Sequence, residues 1–193
     1  MKNEEATLRT TTSLVKIARN HFTEHGYNNV SLEAIAEEGS VTRGAIYHHF
    51  KSKKGLFASV LENVQQDVAT RIEAEASKHN DPWQQLILGC LGFVKCANAE
   101  ENKRILLMDA PSVLGWDTWR KSDQENSVNV LKKHIDYLQA QGYLQDGVDT
   151  KLMALSISGA LNELSFVYPK NSTSEEDNHL LNTISLLVSG FRK

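Results

Sequence analysis

Residues 30–57 read VSLEAIAEEGSVTRGAIYHHFKSKKGLF, and this stretch decides the fold. Ser31 can accept a bond from a free backbone N–H of a first helical turn, which starts a helix running to about Glu38. Leu32, Ile35 and Ala36 give that helix one apolar face. Gly39-Ser40 breaks the pattern, because glycine supplies a positive φ without strain. Thr42 can cap the next helix, and Ala45, Ile46 and Phe50 can pack it back on the first. Arg43, Gly44, Tyr47 and His48 are left pointing outward. Ser52 then caps a third helix that begins Lys53-Lys54-Gly55-Leu56-Phe57. Two short helices, a glycine turn between them and a basic, aromatic outer face on the second are the parts of a DNA-reading helix-turn-helix.

Composition agrees. The chain has 193 residues, 40% hydrophobic and 23% charged, which is ordinary for a globular protein with one or two domains. Three prolines and 11 glycines leave long stretches with helical period and few that alternate like strands, so an all-α fold is expected. The net charge is −3, but residues 1–55 carry +2 and the remainder −5. A mildly basic head on an acidic body suits a DNA reader. Cys90 and Cys96 offer no disulfide framework; six residues apart on a helix, they point about 120° away from each other. No apolar leader follows Met1, and no run approaches the roughly 20 apolar residues of a membrane span, so a cytoplasmic protein without membrane contact is expected.

Outward from the central stretch, residues 1–8 are polar and read as a frayed terminus. A buttress helix over about 9–25 carries Leu14, Ile17, Ala18 and Phe22, and Gly26 stops it. The helix from Ser52 runs to about Lys78, with Leu56, Val60, Val64, Val68 and Ile72 as one stripe linking head to body. Asp81, Pro82 and Gln84 form a helix start with a capping-box pattern. The helix that follows, to about Ala99, is apolar on most sides. A short helix over 100–108 ends at Asp109-Ala110-Pro111, and another runs to about Gln141. The last two helices, about 150–168 and 175–191, are apolar enough to pair with the same helices of a second copy as a four-helix bundle.

The segment from Ile17 to about Leu61 resembles the DNA-binding domain of the TetR family of bacterial transcription regulators. Ile17-Ala18, Phe22-Thr23-Glu24-His25-Gly26-Tyr27, Ser31, Ile35-Ala36, the run Val41 to Phe50, Lys51, Lys53 and Leu56-Phe57 carry the resemblance. The family usually has Ala-Gly before the valine of the turn, where this chain has Gly39-Ser40. The resemblance implies a homodimer and a small molecule bound in the C-terminal domain. Pockets in that domain share no motif, so no particular residue is implied.

The candidate DNA contacts are Ser31, Thr42, Arg43, Gly44, Ala45, Tyr47, His48, Lys51 and Lys53. Arg43 can bond a guanine edge in bidentate fashion. Gly44 permits close backbone approach, Tyr47 and His48 can bond phosphates or bases, and Lys51 and Lys53 phosphates at a helix start. The plain alternative is a solvated helix face. Trp83, Phe93, Met108, Trp116, Trp119, Tyr137, Asn162 and Phe166 are the candidate effector-binding residues, with plain core as their alternative. His21 and His25 have metal-ligand spacing but no accompanying set, so no metal is expected. No nucleophile elbow or glycine-rich phosphate loop is present, and neither enzyme activity nor a cofactor is expected.

The reading is a two-domain, all-α regulator. Residues 1–55 bind double-stranded DNA; residues 56–193 dimerise through the last two helices and bind an effector. A ligand-responsive repressor on a palindromic operator is the favoured form. An activator or nucleoid-type factor without a ligand stays open, as does an enzyme or carrier that keeps the helix-turn-helix as a scaffold.

Overall fold

The computed structural model describes residues 2–193, with side chains from Glu5 onward. It is all-α: α1 (Lys2–Asn29), α2 (Leu32–Glu38), α3 (Arg43–Phe50), α4 (Lys53–Ala76), α5 (Pro82–Asn98), α6 (Glu100–Lys103), α7 (Ala110–Leu114), α8 (Trp116–Asp123), α9 (Asn129–Ala140), α10 (Thr150–Val167) and α11 (Ser174–Ser189). Two π-helical turns, Arg104–Asp109 and Gln124–Val128, interrupt the middle of the chain. Among the described residues extended pairing is limited to one bridge, Leu144 with Arg192. Among the described residues no helix is long and apolar enough to cross a membrane. The chain forms two compact units, residues 1–64 with 100–119, and residues 65–99 with 120–193. The expected DNA-binding head, residues 1–55, lies within the first unit, which also takes the first half of α4 and the segment 100–119.

In the first unit, α1 starts at Lys2 rather than near residue 9, so the polar terminus is helical instead of frayed. Thr10 and Thr11 bond back to the carbonyls of Ala6 and Thr7, which keeps their hydroxyls satisfied on the helix. Gly26 (φ 74°) breaks the helical path where the sequence places the stop. The carbonyls of Thr23 and Glu24, left open there, accept from Arg104 Nη1 at 3.1 and 2.8 Å. The Tyr27 N–H beyond the break donates to Asp109 Oδ2 at 2.9 Å. Arg19 adds a bridge, donating to Asn63 and Asn102, each at 2.9 Å. Phe22, Tyr27 and Phe57 pack ring against ring beneath these bonds, with centroids 5.2–5.8 Å apart.

The turn between α2 and α3 corrects one expectation. Gly39 is not the residue with positive φ; it is right-handed (φ −75°), and Ser40 takes the left-handed position (φ 52°). Space favours glycine at 39, because a Cβ there would lie 2.9 Å from Leu14 Cδ2 and 3.1 Å from the Ile35 carbonyl, so that the Leu14 side chain would have to shift. Gly55 is needed for the same reason, a Cβ there meeting the Phe50 carbonyl oxygen at 2.0 Å. The middle of the chain differs too. Pro111 does not end a helix but sits in the first turn of α7, where its missing N–H costs nothing. The expected helix to about Gln141 is divided into α8, a π turn and α9.

The second unit is built on α5. Trp83, Leu86, Ile87, Cys90 and Val94 of that helix meet Ile135 and Leu138 of α9, Met153, Ala154, Ile157 and Leu161 of α10, and Leu180, Ile184 and Val188 of α11. Asp81 caps α5 by accepting from Trp83 N–H, whereas the full reciprocal capping box lies at Thr173 and Glu176, opening α11. Cys90 is buried and apolar surroundings push its thiol up to about 12, so it acts as a small hydrophobe. Where α10 and α11 meet, Lys95 and Tyr168 bond the Asp177 carboxylate, and Ser172 donates to it at 2.7 Å. Lys95 first, then the two hydroxyls, hold this carboxyl down at about 2. A depressed carboxyl contributes stability above its unfolded value, roughly 3.9, and loses it as pH falls toward the folded value. Asp177→Asn is therefore expected to lower the melting temperature at pH 7 and to flatten the loss of stability between pH about 4 and about 2, read by thermal melts across that range.

Candidate nucleic-acid interface

Local chemistry orients the two short helices. Ser31 Oγ accepts from Ala34 N–H at 3.1 Å and opens α2; Thr42 Oγ1 accepts from Ala45 N–H at 3.2 Å and opens α3. The turn closes with Val41 N–H on the Ala36 carbonyl at 2.9 Å. Ile46, fully buried, anchors α3 against the head, as do the buried Ile35 and Ala36 of α2. With that face pinned, Thr42, Arg43, Gly44, Tyr47 and His48 are exposed together along the other side, and Ala45 is half-buried at their edge. Ser31 is exposed too.

Arg43 does not hang free. Its Nη1 pairs with Glu33 of α2 and its Nη2 donates to the Tyr47 hydroxyl at 3.2 Å, with the guanidinium carbon 5.3 Å from the Tyr47 ring centre. Glu33 is a residue the sequence reading did not single out. The sequence carries no signal for it: Glu33 stands in the first turn of α2, an ordinary place for a carboxylate, and nothing local says that α3 returns across it. Lys51 ends α3 in a left-handed conformation (φ 66°) and donates to the His48 carbonyl at 3.0 Å. Lys53 is half-buried, its ammonium 4.5 Å from the Tyr27 ring centre and 3.4 Å from the Asn28 carbonyl; partial burial lowers its pKa. Lys54 turns away to the Leu114 carbonyl at 3.3 Å.

The candidate effector residues divide between the two units. In the first, Trp119 is buried and donates Nε1–H to the Leu106 carbonyl at 3.2 Å, with exposed Trp116 against it at 5.0 Å; Met108 is exposed. In the second, Trp83 and Phe93 belong to the core around α5, and Trp83 lies parallel to Tyr143. Asn162 is half-buried on α10, and Tyr137 and Phe166 are largely exposed. His21 bonds Glu38 at 2.8 Å, and no group of three or more metal-ligating side chains occurs among the described residues.

This arrangement is that of a helix-turn-helix protein whose second helix presents a polar, basic face, in a chain that also holds a second helical unit. Residues 14–60 match the family of bacterial regulatory proteins, tetR family, and residues 83–191 match the tetracyclin repressor-like C-terminal domain. The chain belongs to the TetR family, and it is a DNA-binding transcriptional regulator. It is 28% identical over 169 residues to the probable acrEF/envCD operon repressor of Escherichia coli K12, covering 80% of this chain and 74% of that one. It is 30% identical over 107 residues to the transcriptional regulator AcrR of Shigella flexneri, covering 55% and 50%. It is similar in fold to a TetR-family transcriptional regulator from Pectobacterium atrosepticum, with TM-score 0.76, 31% identity and coverage of 97% of this chain and 96% of that one.

Glu33 places a carboxylate on the same face as Arg43. Its removal leaves the head one negative charge poorer and the guanidinium without its acid partner. Glu33→Gln is expected to tighten binding to a duplex of unrelated sequence by ~3–10-fold at low salt, measured by fluorescence anisotropy.

Proposed function

We propose that this chain is a ligand-responsive homodimeric repressor that reads a palindromic operator through α3. The observation that carries this is the exposed row Thr42, Arg43, Tyr47 and His48 on a helix pinned from behind by Ile46. A rigid helix with an Arg near its N-terminus suits insertion in the major groove, where an Arg fork matches the two acceptors of guanine. Arg43 reads base edges, Gly44 and Ala45 let the backbone come close, and Tyr47 and His48 reach bases or phosphates. Ser31, Thr42, Lys51 and Lys53 hold the phosphate backbone.

Dimerisation is supported by the outer faces of the last two helices. Leu152, Phe166 and Val167 of α10 and Leu186 and Leu187 of α11 are exposed on a single copy. Apolar exposure concentrated on two helices marks an association face. Two heads related by a two-fold axis would read half-sites about 34–36 Å apart. Repression is supported by the printed role of the Escherichia coli relative. Relief by a small molecule is supported by α4, one continuous helix that contributes Leu56, Phe57 and Val60 to the first unit and Val68 to the second. A ligand that favours one setting of this helix would change operator affinity.

Selection of bound duplexes from a random pool tests the reading. A palindromic consensus supports it, and recovery of no preferred sequence sinks it. On the selected operator, Arg43→Ala is expected to relax preference at one position per half-site, at a cost of about 1–3 kcal/mol there. Lys53→Ala should weaken all sequences alike and reduce the salt slope by about one. Leu186→Lys with Leu187→Lys should yield monomers in sedimentation velocity. A thermal-shift and operator-release screen over a broad metabolite and drug library tests responsiveness; a library without one releasing compound removes that part of the proposal.

A further inference from the structure

The second unit holds a polar cluster that neither DNA reading nor dimerisation uses. Gln65 of α4 and Asp123 at the end of α8 are each only 6% exposed. Gln65 Oε1 accepts from Ser122 Oγ and from Asn126 Nδ2, both at 3.1 Å. The orientation of that amide is determined by its partners. Asn126 Nδ2 also donates to the Ser122 carbonyl at 3.0 Å, so its nitrogen must face this way, and only an oxygen of Gln65 can face it back. Gln65 Nε2 is thereby turned to the other side, where it meets no acceptor.

Asp123 has the complementary deficit. Its Oδ2 has no hydrogen-bonding donor, and Arg120 Nη1 stands 3.7 Å away, too far for a bond. Burial raises the Asp123 pKa, against the pull of Arg120 and a bond from Ser127. A donor and an acceptor are thus both withdrawn from water without return, in a unit whose other buried side chains are almost all apolar. Two details favour use over accident. The backbone at Gln124–Val128 takes a π turn, a form concentrated at functional sites. Asn126 is exposed and Arg120 partly so, which leaves the cluster an edge open to solvent.

We propose that Gln65 and Asp123 are the polar anchors of the effector site, and that they select an organic amine carrying an acceptor oxygen. Asp123 Oδ2 accepts from the ligand's ammonium, and Gln65 Nε2 donates to its oxygen. A charge-assisted bond to a desolvated carboxylate is the strong contact, and the amide bond sets orientation. Asn126 and Arg120 form the rim. This rests on the ligand-responsive reading above and adds to it a place and a ligand class. None of the eight effector candidates read from the sequence is part of this cluster.

Three matched probes test it on the full-length protein: 2-amino-1-phenylethanol, 1-phenyl-1,2-ethanediol and mandelate, which present ammonium, hydroxyl and carboxylate on one frame. The amine is expected to raise the melting midpoint and release the selected operator at a concentration at least tenfold below that of the diol, with mandelate inert. Asp123→Asn should erase the tenfold preference. Gln65→Met should shrink the advantage of 2-amino-1-phenylethanol over 2-phenylethylamine, which lacks the oxygen. Asp123→Asn removes the buried charge and keeps the side chain's shape, and Gln65→Met removes the unmet Nε2 together with the acceptor of Ser122 and Asn126, so each variant's own unliganded melting midpoint is the baseline for its ligand-induced shift. Equal response to amine and diol, an inert amine, or an amine preference that survives Asp123→Asn overturns the assignment. If the diol, mandelate or a library compound releases operator while the amine does not, the anchors are wrong and ligand-responsiveness stands. If no compound in either set releases operator, responsiveness itself fails.

Discussion

One guanidinium closes the end of α1, and the shape of the head depends on it. A helix that stops leaves carbonyls without partners, and α1 stops under constraint at Gly26. Arg104 supplies both bonds and a positive charge where the helix dipole is negative. Asp109 then takes the first N–H beyond the break. The direction in which the chain leaves α1 and enters α2 is thus settled by residues some 80 positions further on. The unit that holds the helix-turn-helix is therefore not a contiguous stretch. Segment 100–119 is a structural part of it.

This explains which features the sequence made legible. The helix-turn-helix could be read because its signals are local: Ser31, Thr42 and Ser52 each accept from an N–H three residues on, as their chemistry suggests. The outer face of α3 could be read for the same reason, since Ile46 fixes which side is covered. Gly39 was correctly marked as special but for the wrong cause. Its need comes from the proximity of Leu14 on another helix, which no dipeptide rule contains.

Residues 100–128 were read least well. A π turn has no hydrophobic period of its own, so Arg104–Asp109 and Gln124–Val128 looked like ordinary helix. Pro111 has the same chemistry whether it stops one helix or starts the next. Arg104 and Glu33 act through partners on other elements, and spacing along the chain carries no trace of that. Aromatic composition likewise could not separate Trp119, buried and bonded, from Trp116, its exposed neighbour. The two unmet atoms of Gln65 and Asp123 belong to residue types that usually lie on the surface, so their burial could only be seen in three dimensions.

The π turns also set where the chain's length can change without moving the core. Each accommodates one residue more than an α turn over the same rise. Losing one residue at a π turn lets that turn relax to α geometry and leaves the helix downstream in register, whereas losing one from an α-helical stretch rotates everything after it by about 100° about the helix axis. A loss between residues 129 and 134 would carry Ile135 and Leu138 of α9 off the α5 core and bring Asp136 and Gln139 toward it. Related chains should therefore tolerate a one-residue gap at Gln124–Val128 that they would not tolerate within α9, with further gaps collecting in the short connections around residues 78–80 and 170–172.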